Sequence, residues 1–151
     1  MMKENITWER GEYWITTDKN KIDIKFVHSE LTQLFWARGI EFEKVQTAIE
    51  NSLCFALFHG DKEIGFARLI TDFSMFAYLS DVFIIDEYQK KGLGRWLVEC
   101  ILQHPVIPHV QHVTLVTSTA SWLYKKFGFE PVVEKDFVWT LDKTKISAMP
   151  K

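Results

Sequence analysis

The feature that most constrains the fold is a glycine-spaced turn between an apolar run and an amphipathic segment. The apolar run, residues 78–85, is typical of a buried strand, and residues 95–102 are typical of a helix. The hexapeptide between them, residues 89–94, contains Gly92 and Gly94. A strand that passes into a helix through such a turn leaves several backbone N–H groups unpaired beside the positive end of the helix dipole. The sequence therefore predicts a strand–turn–helix unit with an anion site at the junction.

The composition of the turn favours a pyrophosphate as this anion. The glycines carry no Cβ, so a phosphate can approach the backbone closely, and Lys90, Lys91 and Arg95 add positive charge. The pattern is not a Walker loop, which requires Gly-Lys-Ser/Thr, nor a dinucleotide fingerprint, which requires Gly-x-Gly-x-x-Gly. The alternative is a solvated turn whose glycines serve only the change of direction, and the hexapeptide alone leaves both interpretations open.

Size and charge limit the classes of protein to consider. A chain of 151 residues with 47% apolar content fits one compact domain with a substantial core. A net charge of −2 gives no electrostatic reason to expect nucleic acid or an anionic membrane as a partner. Cys54 and Cys100 lie in apolar runs, which indicates a reducing compartment. No apolar run approaches about 20 residues and residues 1–10 lack a signal-peptide core, so we predict a cytoplasmic protein.

Hydrophobic periodicity predicts a chain of alternating strands and helices after a loose lead-in at residues 1–10. Runs of strand-forming residues predict strands at 13–17, 53–59, 63–71, 76–85, 113–117 and 137–141. Apolar spacings of three and four predict helices at 24–37, 42–52, from the glycine turn to just before Pro105, and 119–126, followed by a frayed tail from 144. Asp23 is the predicted N-cap of the first helix, and Ser118 or Thr119 that of the last. We predict a single α/β (α+β) domain over 1–151, with a mixed, mostly antiparallel sheet flanked by helices.

Two blocks within this order resemble the GNAT acetyltransferase superfamily. The stretch Gln89-Lys90-Lys91-Gly92-Leu93-Gly94 is similar to the family's Gln/Arg-x-x-Gly-x-Gly/Ala pyrophosphate loop. The stretch Ala120-Ser121-Trp122-Leu123-Tyr124-Lys125-Lys126-Phe127-Gly128-Phe129 is similar to a later block in which Leu-Tyr is followed by Gly-Phe. The resemblance covers about residues 64–131 and rests on element order alone before that. It implies the GNAT acyl-CoA N-acyltransferase fold.

The resemblance implies acetyl-CoA as the cosubstrate and no metal. In the family the turn amides bind the pyrophosphate, and an open edge of the preceding strand pairs with the pantetheine arm as an added strand would. The cofactor-binding residues implied here are Val82, Phe83, Ile84, Gln89, Lys90, Lys91, Gly92, Leu93, Gly94 and Arg95. The amide of Ile84 would then lie near the acetyl carbonyl and stabilise the developing oxyanion.

Two residues are implied as catalytic. Tyr124 stands where the family's usual general acid stands, and a phenol pKa of about 10 lies close to that of the departing thiolate. Asp81 is the first choice of base because it is an acid inside an apolar strand, where burial is expected to raise its pKa. A core tyrosine and a carboxylate satisfied by backbone donors remain the alternatives. Three weaker candidates for the base are Asp72, Glu41 and Glu43.

In the family the two early helices wall the acceptor pocket, which implies that Trp36, Arg38, Phe42 and Phe73 bind the acceptor. Core packing explains the aromatic residues equally well. We predict an N-acetyltransferase that transfers the acetyl group to a primary amine of a small molecule or peptide by direct attack in a ternary complex. The alternative is a non-catalytic acyl-CoA sensor on the same fold. We expect neither nucleic acid nor a membrane as a partner, and dimers are common in the family.

Other kinds of site have little support in the sequence. The histidines at 104, 109 and 112 are separated by prolines at 105 and 108, with no nearby cysteine or acid pair, so a zinc site is not favoured. Ser118, Ser121 and Cys100 lack the Gly-x-Ser-x-Gly elbow of many hydrolases.

Overall fold

The computed structural model describes residues 4–134 and 136–144. It divides into two compact units, Met1–Val116 and Thr117–Lys151, and each unit is described by itself. The single-domain organisation therefore stays a prediction. Within the described ranges, no helix is both long and apolar enough to cross a membrane.

The first unit is built on a six-stranded sheet whose spatial order follows the chain. The strands are β1 (Thr7–Arg10), β2 (Tyr13–Thr16), β3 (Leu53–His59), β4 (Lys62–Thr71), β5 (Phe76–Ile84) and β6 (His112–Thr114). Every neighbouring pair is antiparallel except β5 and β6, which are parallel. The predicted class, a mixed and mostly antiparallel sheet in an α+β fold, is confirmed.

Among the described residues, three α-helices belong to the first unit and one to the second. They are α1 (Ile24–Leu31), α2 (Phe42–Glu50), α3 (Leu93–Gln103) and, in the second unit, α4 (Ser121–Lys125). Short 3-10 helices lie at Lys19–Lys21, Asp86–Tyr88 and Ile107–His109. The predicted N-cap of α1 is confirmed, because the Asp23 carboxylate accepts the N–H of Phe26 at 3.2 Å.

The core lies on both faces of β3. Cys54, Ala56 and Phe58 belong to the same buried cluster as apolar residues of α1 and α2. On the opposite face, Phe55 is fully buried and meets the ring of His104, just after α3, edge-on at 5.9 Å. A strand covered on both faces needs an uninterrupted apolar run rather than an alternating one. This is why residues 53–59 were predictable to the residue.

Two predicted helices end earlier than their apolar spacing suggested. The helix predicted over 24–37 ends at Leu31, because the following turns use tighter bonds, such as Leu34 N–H to Leu31 O at 3.0 Å. The N–H of Gly39, at φ 76°, then folds back to the hydroxyl of Thr32 at 3.1 Å. The second helix ends at Glu50 rather than near residue 52.

The N-terminal lead-in was predicted wrongly. Residues 7–10 form β1 and pair with β2 across a turn at Gly11, whose φ is 60°. Charged residues such as Glu9 and Arg10 masked the strand, although edge strands commonly carry charge on their exposed side.

The C-terminal predictions also need correction. The strand predicted at 137–141 is wrong: these residues belong to no strand, and Trp139 is 82% exposed. The strand predicted at 113–117 is the shorter β6, ending at Thr114. The N-cap of α4 is Ala120, not Ser118 or Thr119, and its N–H is bonded to Thr117 Oγ1 at 3.0 Å. The predicted tail beyond residue 144 lies outside the described residues.

Candidate functional site

The glycine-spaced turn presents a run of backbone donors. The N–H of Gln89 bonds to Asp86 O at 3.2 Å, and that of Trp96 bonds to Gly92 O at 3.1 Å. Between them, the six N–H groups of residues 90–95 have no hydrogen-bond partner within the described part of the chain. Three of these groups belong to the first turn of α3, at the positive end of the helix dipole. The turn is therefore equipped to bind an anion.

The backbone of this turn is shaped as a concavity. Lys90 and Gly92 have positive φ angles of 63° and 78°. Such changes of handedness turn successive N–H groups toward one point, forming an anion-binding nest. The space beside Gly92 is open, because a Cβ placed there would meet no atom within 4 Å. The side chains of Lys90, Lys91 and Arg95 are exposed around it, so the residues present fit a pyrophosphate.

Strand β5 has an open edge directly before the turn. It pairs with β4 as far as Ile84, but with β6 only from Phe76 to Tyr78. The N–H of Ile85 bonds toward β4, to Ile64 O at 2.9 Å. Because backbone groups alternate in direction along a strand, those of Ile84 point away from β4. An extended amide-bearing chain could pair with this edge.

The remaining residues predicted to bind the cofactor near the open edge differ in burial and in which of their groups a ligand can reach. The carbonyl of Ile84 accepts the side-chain amide of Gln89 at 2.9 Å, which ties the strand end to the turn. Phe83 and Leu93 are buried core residues. The N–H of Leu93 belongs to the turn, whereas the carbonyl of Phe83 faces β4 rather than the open edge. Val82 is half-buried and follows the irregular part of the strand.

That irregularity is a β-bulge that fixes Asp81. The register of β4 and β5 shifts between Phe66 and Arg68, and Asp81 has a φ of 56°. A non-glycine residue in this conformation is held there by its surroundings. Arg68 Nε donates to Asp81 Oδ2 at 2.9 Å, and Arg68 Nη1 donates to Ser52 Oγ at 3.1 Å. Asp81 is thus the carboxylate of a largely buried ion pair, not the isolated acid that the sequence led us to expect.

A cavity of about 250 Å³ opens beside this ion pair. Its polar end is formed by Arg68, Ser80 and Asp81. The remaining walls come from α1, α2, their connection and β4; they are entirely apolar or aromatic, and include Leu31, Trp36, Ile40, Val45, Ile49 and Phe66. The Asp81 carboxylate therefore belongs to the wall of a cavity that is otherwise mostly apolar.

Comparisons with known proteins bear on what this geometry is for. The model of the acetyltransferase (GNAT) domain family matches residues 50–131. A candidate acetyltransferase of the GNAT family from Xanthomonas campestris pv. campestris has a TM-score of 0.84 and 33% identity, with 89% of this chain and 95% of that chain covered.

The chain belongs to the GNAT acetyltransferase family. A candidate acetyltransferase of Gibberella zeae is 28% identical over 152 residues, covering 85% of each protein. A candidate acetyltransferase from Clostridium acetobutylicum was solved with acetyl-CoA. It has 14% identity and a TM-score of 0.63, with 94% of this chain and 97% of that chain covered, and it shows the shared fold alone. The family and fold predicted from the two sequence blocks are confirmed.

The predicted acceptor-binding residues of this GNAT chain are not brought together at one place. Trp36 lines both the 250 Å³ cavity and a second, more open cavity of about 410 Å³ on the α1–α2 connection, whereas Arg38 lines only the second of these two. Phe42 packs edge-on against His28 at 5.5 Å. Phe73 has a φ of 63° in the β4–β5 turn. The acceptor roles of all four stay predictions.

None of the weaker candidates for the base lines the 250 Å³ cavity. The Asp72 carboxylate accepts the N–H groups of Ser74, Met75 and Phe76, which lower its pKa and make it a poorer base. Glu41 lines the open cavity, and Glu43 is exposed on the first turn of α2. Across residues 4–134 and 136–144, no group of three or more metal-ligating side chains is found.

Tyr124 belongs to α4 in the second unit. It is 8% exposed, and its ring meets Phe129 edge-on at 5.6 Å. Burial raises the pKa of Tyr124 above its ordinary value of 10.0. The phenol therefore keeps its proton at neutral pH. Its role as an acid stays a prediction.

Two residues of this site, Arg68 and Ser52, were not predicted from the sequence. The signal for Arg68 was present, since an arginine inside the apolar stretch of β4 requires a nearby anion. Asp81 is the one carboxylate within β5. Ser52 carried no comparable signal, because its role depends on how the end of α2 lies against the sheet.

Proposed function

We propose that this protein transfers the acetyl group of acetyl-CoA to a primary amine by direct attack in a ternary complex. The observation that carries the proposal is the set of six unpaired N–H groups at 90–95 in the described structure, immediately after a strand with an open edge. The turn amides and the charges of Lys90, Lys91 and Arg95 bind the pyrophosphate. The open edge at Ile84 pairs with the pantetheine arm.

The protein's own groups then supply the proton transfers. The amine nitrogen forms a bond to the acetyl carbon as the carbon–sulfur bond breaks. Asp81 accepts the proton that the nitrogen releases, and Tyr124 donates its proton to the departing sulfur. The Ile84 amide donates a hydrogen bond to the carbonyl oxygen as negative charge develops there. Solvent then returns both side chains to their starting protonation states.

The Arg68–Asp81 ion pair fixes the orientation of the proposed base. Arg68 holds the carboxylate in one orientation through a single oxygen, Oδ2. Among the residues that the structure describes, the other oxygen, Oδ1, accepts a hydrogen bond only from the Ser80 hydroxyl, at 3.4 Å. Asp81 lines the cavity. Oδ1 is therefore the atom proposed to receive the proton.

Calorimetry with acetyl-CoA and measurement of thiol release in the presence of amines test this proposal together. We expect saturable acetyl-CoA binding and thiol release that depends on the amine, with acetylated amine found by mass spectrometry. Binding and thermal stabilisation without amine-dependent thiol release would favour the acyl-CoA sensor instead. Failure to bind acetyl-CoA at all would contradict the assignment of the turn.

A further inference from the structure

We propose that the acceptor is a small apolar monoamine, bound with its nitrogen at Asp81 and its hydrocarbon body in the 250 Å³ cavity. This inference rests on the proposed acetyl transfer and specifies its acceptor. It is carried by a contrast within the lining of the cavity, which combines one paired carboxylate with otherwise apolar walls.

The apolar walls of the cavity favour an acceptor whose hydrocarbon part carries no second charge. Apart from Arg68, Ser80 and Asp81, every lining residue is apolar or aromatic. Leu31, Val45, Ile49 and Phe66 are at most 3% exposed, so this part of the wall belongs to the folded core. A second charge placed against it would lose its hydration without gaining a partner. Diamines and polyamines are therefore disfavoured.

The ion pair disfavours acceptors that carry a carboxylate next to their amine. Two nitrogens of Arg68 are already bound, to Asp81 and to Ser52. A ligand carboxylate drawn to Arg68 would also lie beside the Asp81 carboxylate, where like charges repel. Arg38, the cation predicted to pair with an acceptor carboxylate, is not a lining residue of this cavity. The cavity therefore selects against amino acids as well.

The volume limits the size of the acceptor. Since a water molecule occupies about 30 Å³ in the liquid, 250 Å³ holds roughly eight non-hydrogen atoms. Pentylamine, with six non-hydrogen atoms, and phenethylamine, with nine, lie on either side of this size. A lysine within a peptide offers the same alkyl amine, but its main chain would have to stay outside the cavity.

Matched acceptors test the inference with the unaltered protein. We would compare kcat/KM for pentylamine with that for 1,5-diaminopentane, and phenethylamine with phenylalanine, and include N-α-acetyl-lysine amide. We expect kcat/KM for each apolar monoamine to be at least ten times that for its charged counterpart. The value for the diamine is first divided by two, because it has two equivalent amines. Preference for the diamine, for phenylalanine or for the lysine derivative would overturn the inference while leaving acetyl transfer intact.

A binding measurement separates this inference from the proposed function. Calorimetry on the protein saturated with CoA gives dissociation constants for the same amines without turnover. Tight binding of pentylamine over 1,5-diaminopentane without acetylation would support the cavity assignment and overturn the proposed transfer. Equal or weaker binding of pentylamine would overturn the cavity assignment.

Filling the cavity gives an independent test. Ala48 lines it from α2, so Ala48→Phe is expected to lower kcat/KM for phenethylamine at least tenfold and that for ethylamine much less. The control is Thr47→Phe, an exposed neighbour on the same helix, which should leave both values within twofold. Acetyl-CoA affinity reports whether each variant is folded. A folded Ala48→Phe protein with unchanged selectivity would contradict the cavity assignment.

Discussion

Glu63, at the start of β4, is a carboxylate without full hydrogen bonding. Its Oε1 accepts the N–H of Asp23 at 3.0 Å, whereas its buried Oε2 has no partner among the residues that the structure describes. Burial raises the pKa of Glu63 to about 8 from its ordinary value of 4.5, against the lowering effect of the Asp23 N–H. Between these pH values the native state holds a proton that the unfolded state has released.

This pKa predicts a pH-dependent stability. The contribution of Glu63 is fully present below about pH 4.5, and it is lost as the pH rises through about 8. Glu63→Gln keeps an oxygen for the Asp23 N–H but cannot ionise. We expect the free energy of unfolding of the wild type to fall relative to this variant by a few kcal/mol, on the order of 1.4 per pKa unit, between pH 5 and pH 9. Denaturant unfolding measures it, and a difference independent of pH would contradict it.

Gly92 is the residue on which the anion site most depends. Its positive φ suits glycine, and the open space beside it is where the pyrophosphate is proposed to bind. Gly92→Val should weaken acetyl-CoA binding at least tenfold, measured by calorimetry. Gly11→Val is the control, since Gly11 also has a positive φ and no neighbour within 4 Å but lies in the β1–β2 turn. Equal losses of affinity in both variants would indicate a general effect of strain.

Strand β5 is the element that joins the parts of the first unit's site. One edge pairs with β4, the other is open beyond Tyr78, and the bulge at Asp81 directs a carboxylate to the cavity. The end of β5 packs closely against Gly65 of β4. A Cβ on Gly65 would be 2.9 Å from the Phe83 carbonyl oxygen and 2.8 Å from Ile84 Cδ1. The position of the open edge therefore depends on a residue of the neighbouring strand.

Gly65→Ala is expected to destabilise the protein by about 1–3 kcal/mol, because the backbone of β5 has to move. Acetyl-CoA affinity should fall as well, since the shifted residues include Ile84. Gly94→Ala is the comparison for stability: its Cβ would meet Ile84 Cγ1 at 3.9 Å, an ordinary contact, inside α3. It should leave stability unchanged or slightly raised. Denaturant unfolding of both variants checks this, and equal stability would show that β5 adapts freely.

At the scale of the whole molecule, the two residues proposed as catalytic belong to different units. The turn, the open edge and Asp81 belong to the first unit, and Tyr124 belongs to the second. The proposed role of Tyr124 as an acid predicts that its loss lowers turnover without changing the binding of acetyl-CoA.

Tyr124→Phe should lower kcat by about 10²-fold or more, the usual effect of losing a general acid. The dissociation constant of acetyl-CoA should stay within twofold, because the turn that binds it is unchanged. Trp122→Phe is the control, since Trp122 is an exposed aromatic residue on the same short helix. Parallel losses of turnover and acetyl-CoA affinity in Tyr124→Phe would point to a structural role for the tyrosine.

The sequence by itself determined the family, the α+β class, the buried central strand at 53–59 and the glycine turn at 89–94. These features depend on local chemistry: an apolar run covered on both faces, glycines where the backbone needs positive φ, and a helix start that leaves N–H groups unpaired. The N-cap at Asp23 was predictable for the same reason, since a cap bonds only three residues ahead.

Only the tertiary structure decided how separate elements meet. The Arg68–Asp81 pair joins residues on two strands across a bulge, and Ser52 enters from the end of α2, so no local pattern specifies the set. The cavity exists because the α1–α2 connection lies over that pair. The edge strand at 7–10 is a different case, because it pairs locally with β2 and was missed on account of its charged residues. The failed strand at 137–141 belongs with the tertiary features: a strand needs a partner, which can be distant in sequence, and composition alone does not say whether that partner is there.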